Sequence, residues 1–173
     1  MPSSATVYRV GPVSAPPSGD NTEVAALNSA CDTAKPAGHP ARTGCLFAAP
    51  DLKGATRWVR SAHMMRSDAT CRALRVDPTG LHAYRIRAWD LATVSGLSTT
   101  ERAARFTAYW ASGVPLANWD TDSDGREWEV LVPPAQSLGS RPVGPATLLS
   151  ALPDSDWTRT ELANSFAVAR RSR

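Results

Sequence analysis

Two carboxylates stand one residue apart at the start of an apolar run, EWEVLVPP, which covers residues 127–134. Successive side chains of a strand point to opposite faces, so a strand here predicts that Glu127, Glu129 and Leu131 share one face. The two carboxylates would then lie about 7 Å apart, because each residue of a strand advances ~3.3 Å. Two acids at this spacing suit either one substrate held between them or the solvated end of a strand.

An acidic turn, DTDSDG at residues 120–125, precedes this run. Its three aspartates at alternate positions, followed by Gly125, match the first half of a calcium-binding loop. The second half does not match, because the twelfth position requires a bidentate glutamate and holds Leu131. Asp, Ser and Gly also form turns through their own side-chain hydrogen bonds. The sequence therefore favours a turn over a calcium site.

The patterns along the rest of the chain predict the elements that must position these acids. Alternating or clustered apolar residues predict strands at 5–10, 45–49, 71–77, 82–89 and 127–132. Helical spacing with end signals predicts helices after a cap at Asp20 or Asn21, after Asp51, over 98–113 and over 154–171. The turn PTG between the third and fourth strands predicts a hairpin. This mixture of elements is typical of the α+β class.

The helix predicted over 98–113 carries the clearest end signals. Ser98 and Glu101 have the spacing of a capping box, in which each side chain bonds the backbone of the other residue. The apolar residues Ala103, Phe106 and Trp110 would form the buried face of this helix.

Length, charge and cysteine content limit the class of protein. The chain has 173 residues, which predicts one domain over residues 1–173 with a substantial core. The formal net charge is +3 with no block of like charges, so no nucleic-acid partner is expected. Three cysteines without a C-x-x-C pair, and three histidines away from metal-ligand spacing, predict neither a metal site nor a disulfide scaffold.

The first ten residues lack a charged start followed by an apolar segment, so no signal peptide is predicted. The longest apolar run is too short to cross a bilayer. These features predict a soluble, cytoplasmic protein without a membrane partner, and they leave export by another route open.

Two of these segments resemble a known superfamily. The strand EWEVLVPP resembles the E-x-E-V-L strand of arginine-directed mono-ADP-ribosyltransferases, where it follows a mobile turn. VYRV at residues 7–10 resembles the first strand of the arginine–serine–glutamate branch, which includes cholera- and pertussis-like toxins. The resemblance spans residues 5–134. It implies two facing, mostly antiparallel sheets with an NAD cleft between them and helices packed at one side.

The resemblance also implies an activity, the transfer of ADP-ribose from NAD to an arginine or another guanidine-type acceptor with release of nicotinamide. Glu129 would stabilise the oxocarbenium character of the ribose. Glu127 would bind the guanidinium and help remove its proton, because a protonated guanidinium is a poor nucleophile. On the first strand Tyr8, Arg9 and Val10 would bind NAD, with Arg9 holding phosphate and the Val10 backbone holding the carboxamide.

The sequence departs from the superfamily at its central serine–threonine–serine segment. The apolar strand CLFAA carries Ala48 and Ala49 where serine would stand. The literal match, STT at residues 98–100, also has the spacing of the helix cap described above, which favours capping over catalysis for this segment. Either another group orients Glu129 or the activity is reduced. NAD hydrolysis by water and a non-catalytic binding module on the same fold therefore remain alternatives to transfer.

Overall fold

The computed structural model describes residues 4–11, 22–65, 70–119 and 123–171. Within these ranges, seven strands form two sheets, and every strand pair is antiparallel. The strands are β1 Ala5–Val10, β2 Leu46–Ala48, β3 Cys71–Val76, β4 His82–Arg85, β5 Val114–Pro115, β6 Trp128–Val132 and β7 Ser137–Val143. The first sheet has the order β1-β3-β7, and the second has the order β2-β6-β4-β5.

Six α-helices accompany the sheets in the described part of the chain. They are α1 Thr22–Asp32, α2 Leu52–Met65, α3 Ile86–Ala92, α4 Thr99–Ala111, α5 Pro145–Ser150 and α6 Trp157–Arg171. The α+β class is therefore confirmed. The expected capping residues of α1, Asp20 and Asn21, lie outside the described residues.

In the described ranges, three apolar cores hold these elements together. The inter-sheet core lies between the two sheets and includes Val7, Leu74 and Val76 from the first sheet. The α4-side core joins the second sheet to α1, α3 and α4, and the α2-side core joins the first sheet to α2, α5 and α6. Helices thus pack on the outer faces of both sheets, and the prediction that they pack at one side is wrong.

The inter-sheet core also changes where a ligand site could lie. Aliphatic side chains from the facing strands fill the space between the sheets, and Val7, Leu74 and Val130 are fully buried there. This packed space is not the open cleft that the sequence predicts between the sheets. A candidate site must therefore lie at a margin of this core or on the helix side of the second sheet.

The predicted hairpin of the third and fourth strands is wrong. β3 pairs with β1 and β7 in the first sheet, whereas β4 pairs with β5 and β6 in the second. Both edges of each strand are already occupied, so β3 and β4 do not pair with each other. The chain also leaves the strand conformation at Ile86, where α3 begins.

Helix α4 begins where the sequence predicts, but its buried face differs from the predicted one. The Ser98 side chain accepts from the Glu101 N–H, and the Glu101 side chain accepts from the Ser98 N–H, which completes the capping box. Phe106 and Trp110 are buried as predicted, but Ala103 is exposed and Tyr109 is buried instead. The buried face is therefore rotated toward Tyr109, which enters the α4-side core.

Strand β7 forms an outer edge of the first sheet. Its residues from Leu138 to Pro142 are exposed, and Gly139 has a positive φ of 136°. A register shift in its pairing with β3 falls between Arg75 and Val76. Proline fits an edge strand because it has no N–H to offer to a further strand.

Candidate functional site

Strand β6 carries the candidate catalytic acid through the middle of the second sheet. It pairs with β2 on one edge and β4 on the other, and all five of its residues are buried. Val130 and Val132 enter the inter-sheet core, while Leu131 enters the α4-side core. Strand alternation therefore points Glu129 toward the helices, and it is only 2% exposed.

The Glu129 carboxylate is held through one oxygen. Oε1 accepts a hydrogen bond from Arg42 Nη1 and another from the Tyr109 hydroxyl at 2.9 Å. Among the described residues, no hydrogen bond reaches Oε2. Oε2 is not fully enclosed either, because the described side-chain atoms that are both enclosed and without a hydrogen-bond partner do not include it. The carboxylate is therefore fixed in direction while one of its oxygens stays available.

Arg42 is itself fixed by several contacts. Its Nε donates to Asn28 Oδ1 at 3.0 Å, and its backbone N–H donates to Asp32 Oδ1 at 2.7 Å. Its guanidinium lies 3.6 Å from the ring centroid of Trp89 and 4.6 Å from that of Phe47. These contacts form a cation–π arrangement on both rings.

Burial and the neighbouring charge act in opposite directions on Arg42. Burial by itself lowers the pKa of Arg42, but the charge and hydrogen bond of Glu129, with Tyr109, raise that pKa above its usual value. The guanidinium is therefore a permanent cation. Burial, followed by the Glu129 charge, raises the pKa of Tyr109 well above its usual value, so its hydroxyl stays a neutral donor.

A second layer of aromatic residues connects this cluster to the surface. The ring of Tyr109 stacks on that of Tyr84 with centroids 5.1 Å apart. The hydroxyl of Tyr84 lies 2.6 Å from His39 Nδ1, and the ring of His39 stacks on that of His82 at 4.4 Å. Two of the histidines thus meet in space although their sequence spacing does not suggest it. In the described part of the chain, no group of three metal-ligating side chains forms.

The side chain of Glu127 does not lie in the buried cluster around Glu129. It ends a 3₁₀ turn, Gly125–Glu127, and its side chain is 61% exposed. Its Oε2 pairs with Arg85 Nη1 at 2.7 Å, and the Arg85 guanidinium lies 4.2 Å from the ring centroid of Trp128. Trp128 faces the inter-sheet core, which lies on the other side of the sheet from Glu129.

The prediction that Glu127 and Glu129 share one strand face is therefore wrong. The Glu127 N–H bonds to the Asp124 carbonyl in the 3₁₀ turn, so strand alternation begins only at Trp128. Arg85 then holds the Glu127 carboxylate on the opposite side of the sheet.

Arg9 lies where β1 and β2 separate. The two strands meet through Tyr8 and Ala49, whose N–H and C=O groups bond reciprocally at 2.8 and 2.7 Å. Arg9 is 4% exposed, and its Nη1 donates to the Phe47 carbonyl at 3.1 Å. Burial lowers the pKa of Arg9 from its usual value, although a guanidinium still keeps its charge. We call this place, bounded by Tyr8–Val10 and Phe47–Ala49, the β1–β2 notch.

The backbone of Val10 lies at the same notch. The N–H and C=O of alternate residues leave a strand by the same edge. Those of Val10 therefore leave β1 by the edge that carries the Tyr8 bonds to Ala49. No bridge joins β1 and β2 beyond Tyr8 in the described residues.

Phe47 connects the notch to the buried acid. Its carbonyl accepts from Arg9, its ring lies beside the Arg42 guanidinium, and it is the register partner of Leu131 in β6. The structure therefore brings Arg9 and Glu129 to the two sides of one residue of β2, while it sends Glu127 elsewhere.

The sequence analysis missed the two residues that hold Glu129. Arg42 belongs to the segment KPAGHPARTG, which has no periodic pattern. Tyr109 stands three residues after Phe106, and this helical spacing is the signal that could have placed it in the buried face. Ala48, the last residue of β2, pairs with Val130 of β6, and Ala49 forms a bridge with Tyr8 of β1.

The acidic turn has a structural explanation in its described part. Asp124 bonds Arg126, and its pKa is lowered to about 2, first by that hydrogen bond. A Cβ on Gly125 would lie 2.0 Å from Asp51 Oδ1, so a side chain here would displace the carboxylate that accepts from the Gly54 N–H. Asp120 and Asp122, which the calcium alternative needs, lie outside the described residues.

None of the helices in the described ranges is long and apolar enough to span a lipid bilayer. No protein-family model matches the chain, and neither a curated protein nor a solved structure matches it.

Proposed function

We propose that this chain cleaves the bond between nicotinamide and ribose in NAD, with Glu129 as the carboxylate beside the ribosyl cation. The observation that carries the proposal is the asymmetry of this carboxylate. Arg42 and Tyr109 hold Oε1, whereas Oε2 accepts no hydrogen bond from the described residues. A charge that is fixed in advance stabilises a developing positive charge without reorganising during the reaction.

The β1–β2 notch supports the same proposal. Arg9 carries a permanent positive charge at the notch and suits a phosphate of NAD. The backbone edge of Val10 offers one donor and one acceptor, which is what a carboxamide such as that of nicotinamide requires. Phe47 separates these groups from the Arg42–Glu129 pair by a single residue. The resemblance of VYRV and EWEVLVPP to ADP-ribosyltransferases assigns the same tasks to these residues.

Water is the acceptor that the positions of the two acids favour. In hydrolysis the C1′–N bond breaks with its electron pair leaving on nicotinamide, and water forms the new C1′–O bond and loses a proton. This step needs no second carboxylate to bind an acceptor. Because Glu127 pairs with Arg85 on the other side of the sheet, the described residues place no such carboxylate beside Glu129.

Transfer to an arginine-type acceptor is the second candidate function. One observation favours it: the Glu127 carboxylate already binds a guanidinium, that of Arg85, which also lies over the Trp128 ring. An acceptor guanidinium would replace Arg85 on this exposed surface. The reacting ribose would then have to approach from the same side, away from the α4-side core.

Nicotinamide release from NAD by the purified protein tests the proposal. Glu129→Gln should lower the rate on the order of 10²–10³-fold, because the charge beside the ribose is lost. Glu129→Asp keeps a negative charge for Arg42 but withdraws it by one methylene, so it should also lose most of the rate while staying folded. Glu127→Gln is the matched control and should release nicotinamide at the wild-type rate.

Two outcomes would change the assignment. A wild-type protein that binds NAD without releasing nicotinamide would reject catalysis and support the alternative of a non-catalytic binding module. Labelled ADP-ribose that appears on an arginine-containing peptide in the wild type, but not in Glu127→Gln, would establish transfer instead of hydrolysis.

A further inference from the structure

The guanidinium of Arg42 has two hydrogen-bond donors that no described residue uses. A guanidinium carries five N–H groups. In Arg42 the Nε–H donates to Asn28 Oδ1, and the two N–H groups of Nη1 donate to Glu129 Oε1 and to the Tyr109 hydroxyl. Both of the remaining donors belong to Nη2. They suit an acceptor other than the side chains in the described part of the protein.

Glu129 offers the matching acceptor. Its Oε2 accepts no hydrogen bond from the described residues, although Glu129 is only 2% exposed and Arg42 only 4%. Arg42 Nη1 and Glu129 Oε1 are in direct contact, so Nη2 and Oε2 each lie two covalent bonds from that contact. A single bridging oxygen can therefore reach both atoms.

A small group can also enter this place. Within the described ranges, the enclosed side-chain atoms that lack a hydrogen-bond partner include neither Nη2 nor Oε2, so both keep some access to solvent. The half-buried rings of Phe47 and Trp89 lie against the guanidinium and limit the width of this access. Buried polar atoms normally bond to protein or to ordered water. The group that fits must be small, accept from Nη2 and donate to Oε2, and water meets all three requirements.

We propose that Arg42 Nη2 and Glu129 Oε2 hold the water molecule that attacks the ribose, which makes Arg42 a second catalytic residue. This assignment rests on the NAD cleavage proposed above. Arg42 fixes the water oxygen, and Glu129 orients one of its hydrogens. The remaining lone pair of the oxygen is then free to face the ribose.

The chemical step balances with these two residues. The C1′–N bond breaks and its electron pair leaves on nicotinamide, while the water oxygen forms the C1′–O bond. The water proton passes to Glu129 Oε2 and afterwards to solvent. Arg42 keeps its charge throughout, because a guanidinium is not deprotonated in proteins. Glu129 thus acts first as the fixed negative charge and then as a general base.

Competition between water and methanol for the ribosyl cation tests the role of Arg42. In a water–methanol mixture, the wild type should form far less methyl-ADP-ribose than the mole ratio of the solvents predicts, because the bound water is already in place. Arg42→Lys keeps a cation for Glu129 Oε1 but has a single nitrogen, so it lacks the donors of Nη2. Its preference for water should fall by about tenfold or more, as expected for the loss of hydrogen bonds from a charged group.

Arg85→Lys is the matched control, because it makes the same change in the exposed pair with Glu127. It should keep the wild-type product ratio. A folded Arg42→Lys protein with the wild-type preference for water would overturn the role of Arg42. So would a wild type whose two products follow the solvent ratio, and this second result requires no variant to fold.

A crystal structure of the wild type tests the water site without catalysis. It should show one water oxygen within hydrogen-bonding distance of both Arg42 Nη2 and Glu129 Oε2. A structure in which no water bridges these two atoms would overturn the site.

The water site and the proposed cleavage fail in different ways. A bridging water in a wild type that releases no nicotinamide keeps the water site and rejects the cleavage, together with the catalytic role of Arg42. Nicotinamide release without a bridging water, or with products in the solvent ratio, rejects the role of Arg42 alone.

Discussion

Glu127 and Glu129 are separated by a single residue, Trp128, yet their environments are opposite. Glu129 is buried in the α4-side core, where a buried arginine and a buried tyrosine hold one of its oxygens. Glu127 is 61% exposed, and its partner Arg85 is 48% exposed. Both acids pair with an arginine, so the pairing itself does not distinguish them.

The difference shows that the contribution of an ion pair to stability depends on its surroundings. Solvent and salt screen the exposed pair, and holding two long side chains costs conformational entropy. The buried pair has already lost its hydration, so removing one partner leaves an uncompensated charge in the interior. A fixed charge in a dry place is also what electrostatic catalysis requires. The buried member of the two acids is therefore the better candidate for chemistry.

The largest expected effect is on the stability of Glu129→Gln. This substitution leaves the Arg42 guanidinium buried without a counter-charge and should lower the free energy of unfolding by about 3–5 kcal/mol. Urea unfolding followed by circular dichroism measures it. Glu129→Asp should lose clearly less, since the charge remains. A loss below ~1 kcal/mol for Glu129→Gln would place this pair in the same class as an exposed one.

Tyr109→Phe should have the next largest effect. It removes the hydroxyl that donates to Glu129 Oε1 while keeping the ring that stacks on Tyr84. Loss of a buried bond to a charged group costs about 1–3 kcal/mol. Thermal and urea unfolding measure this loss. The control is Tyr84→Phe, which removes a half-buried hydroxyl contact with His39 and should cost less than Tyr109→Phe.

The pH dependence of stability should reveal a smaller contribution from His39. Burial, followed by the charges of His82 and Lys35, lowers the pKa of His39 below its usual value. The unfolded chain therefore binds this proton more readily than the folded protein does. Stability should fall as the pH drops below the ordinary histidine value of ~6.5. Urea midpoints between pH 5 and 8 test this, and His39→Gln should flatten the curve.

Glu127→Gln should have the smallest effect of all. An exposed pair contributes roughly 0–1 kcal/mol, and salt should reduce even that contribution. Urea unfolding at low and high ionic strength measures it, with Arg85→Gln as the partner variant. A loss comparable to that of Glu129→Gln would remove the contrast between the two acids.

The strand that carries the candidate acid was predictable because its pattern is local. Alternation from Trp128 to Val132 follows from the chain geometry, and the capping box of α4 needs only Ser98 and Glu101. The same alternation fails to predict the position of Glu127, because a backbone hydrogen bond to Asp124 turns the chain just before the strand. One bond of this kind decides on which side of a sheet a carboxylate lies.

The partners of Glu129 could not be inferred because they come from distant parts of the chain. Arg42 is 87 residues away from Glu129, and Tyr109 is 20 residues away. Arg42 reaches the acid from a segment without periodicity, where Asp32 and Asn28 hold it. The spacing of residues along the chain does not predict tertiary contacts of this type. For the same reason, the placement of β3 and β4 in different sheets contradicts a hairpin that their local pattern favours.

The outer edge of β7 has a consequence for how copies of the protein behave when they meet. An uncovered strand edge is a template for aggregation, because its backbone groups can pair with the edge of another molecule. Pro142 removes one donor from this edge, and the register shift near Gly139 bends the strand away from the flat shape that such stacking needs. Replacing Pro142 by a β-branched residue would therefore extend the template and favour fibrous association during concentration or storage.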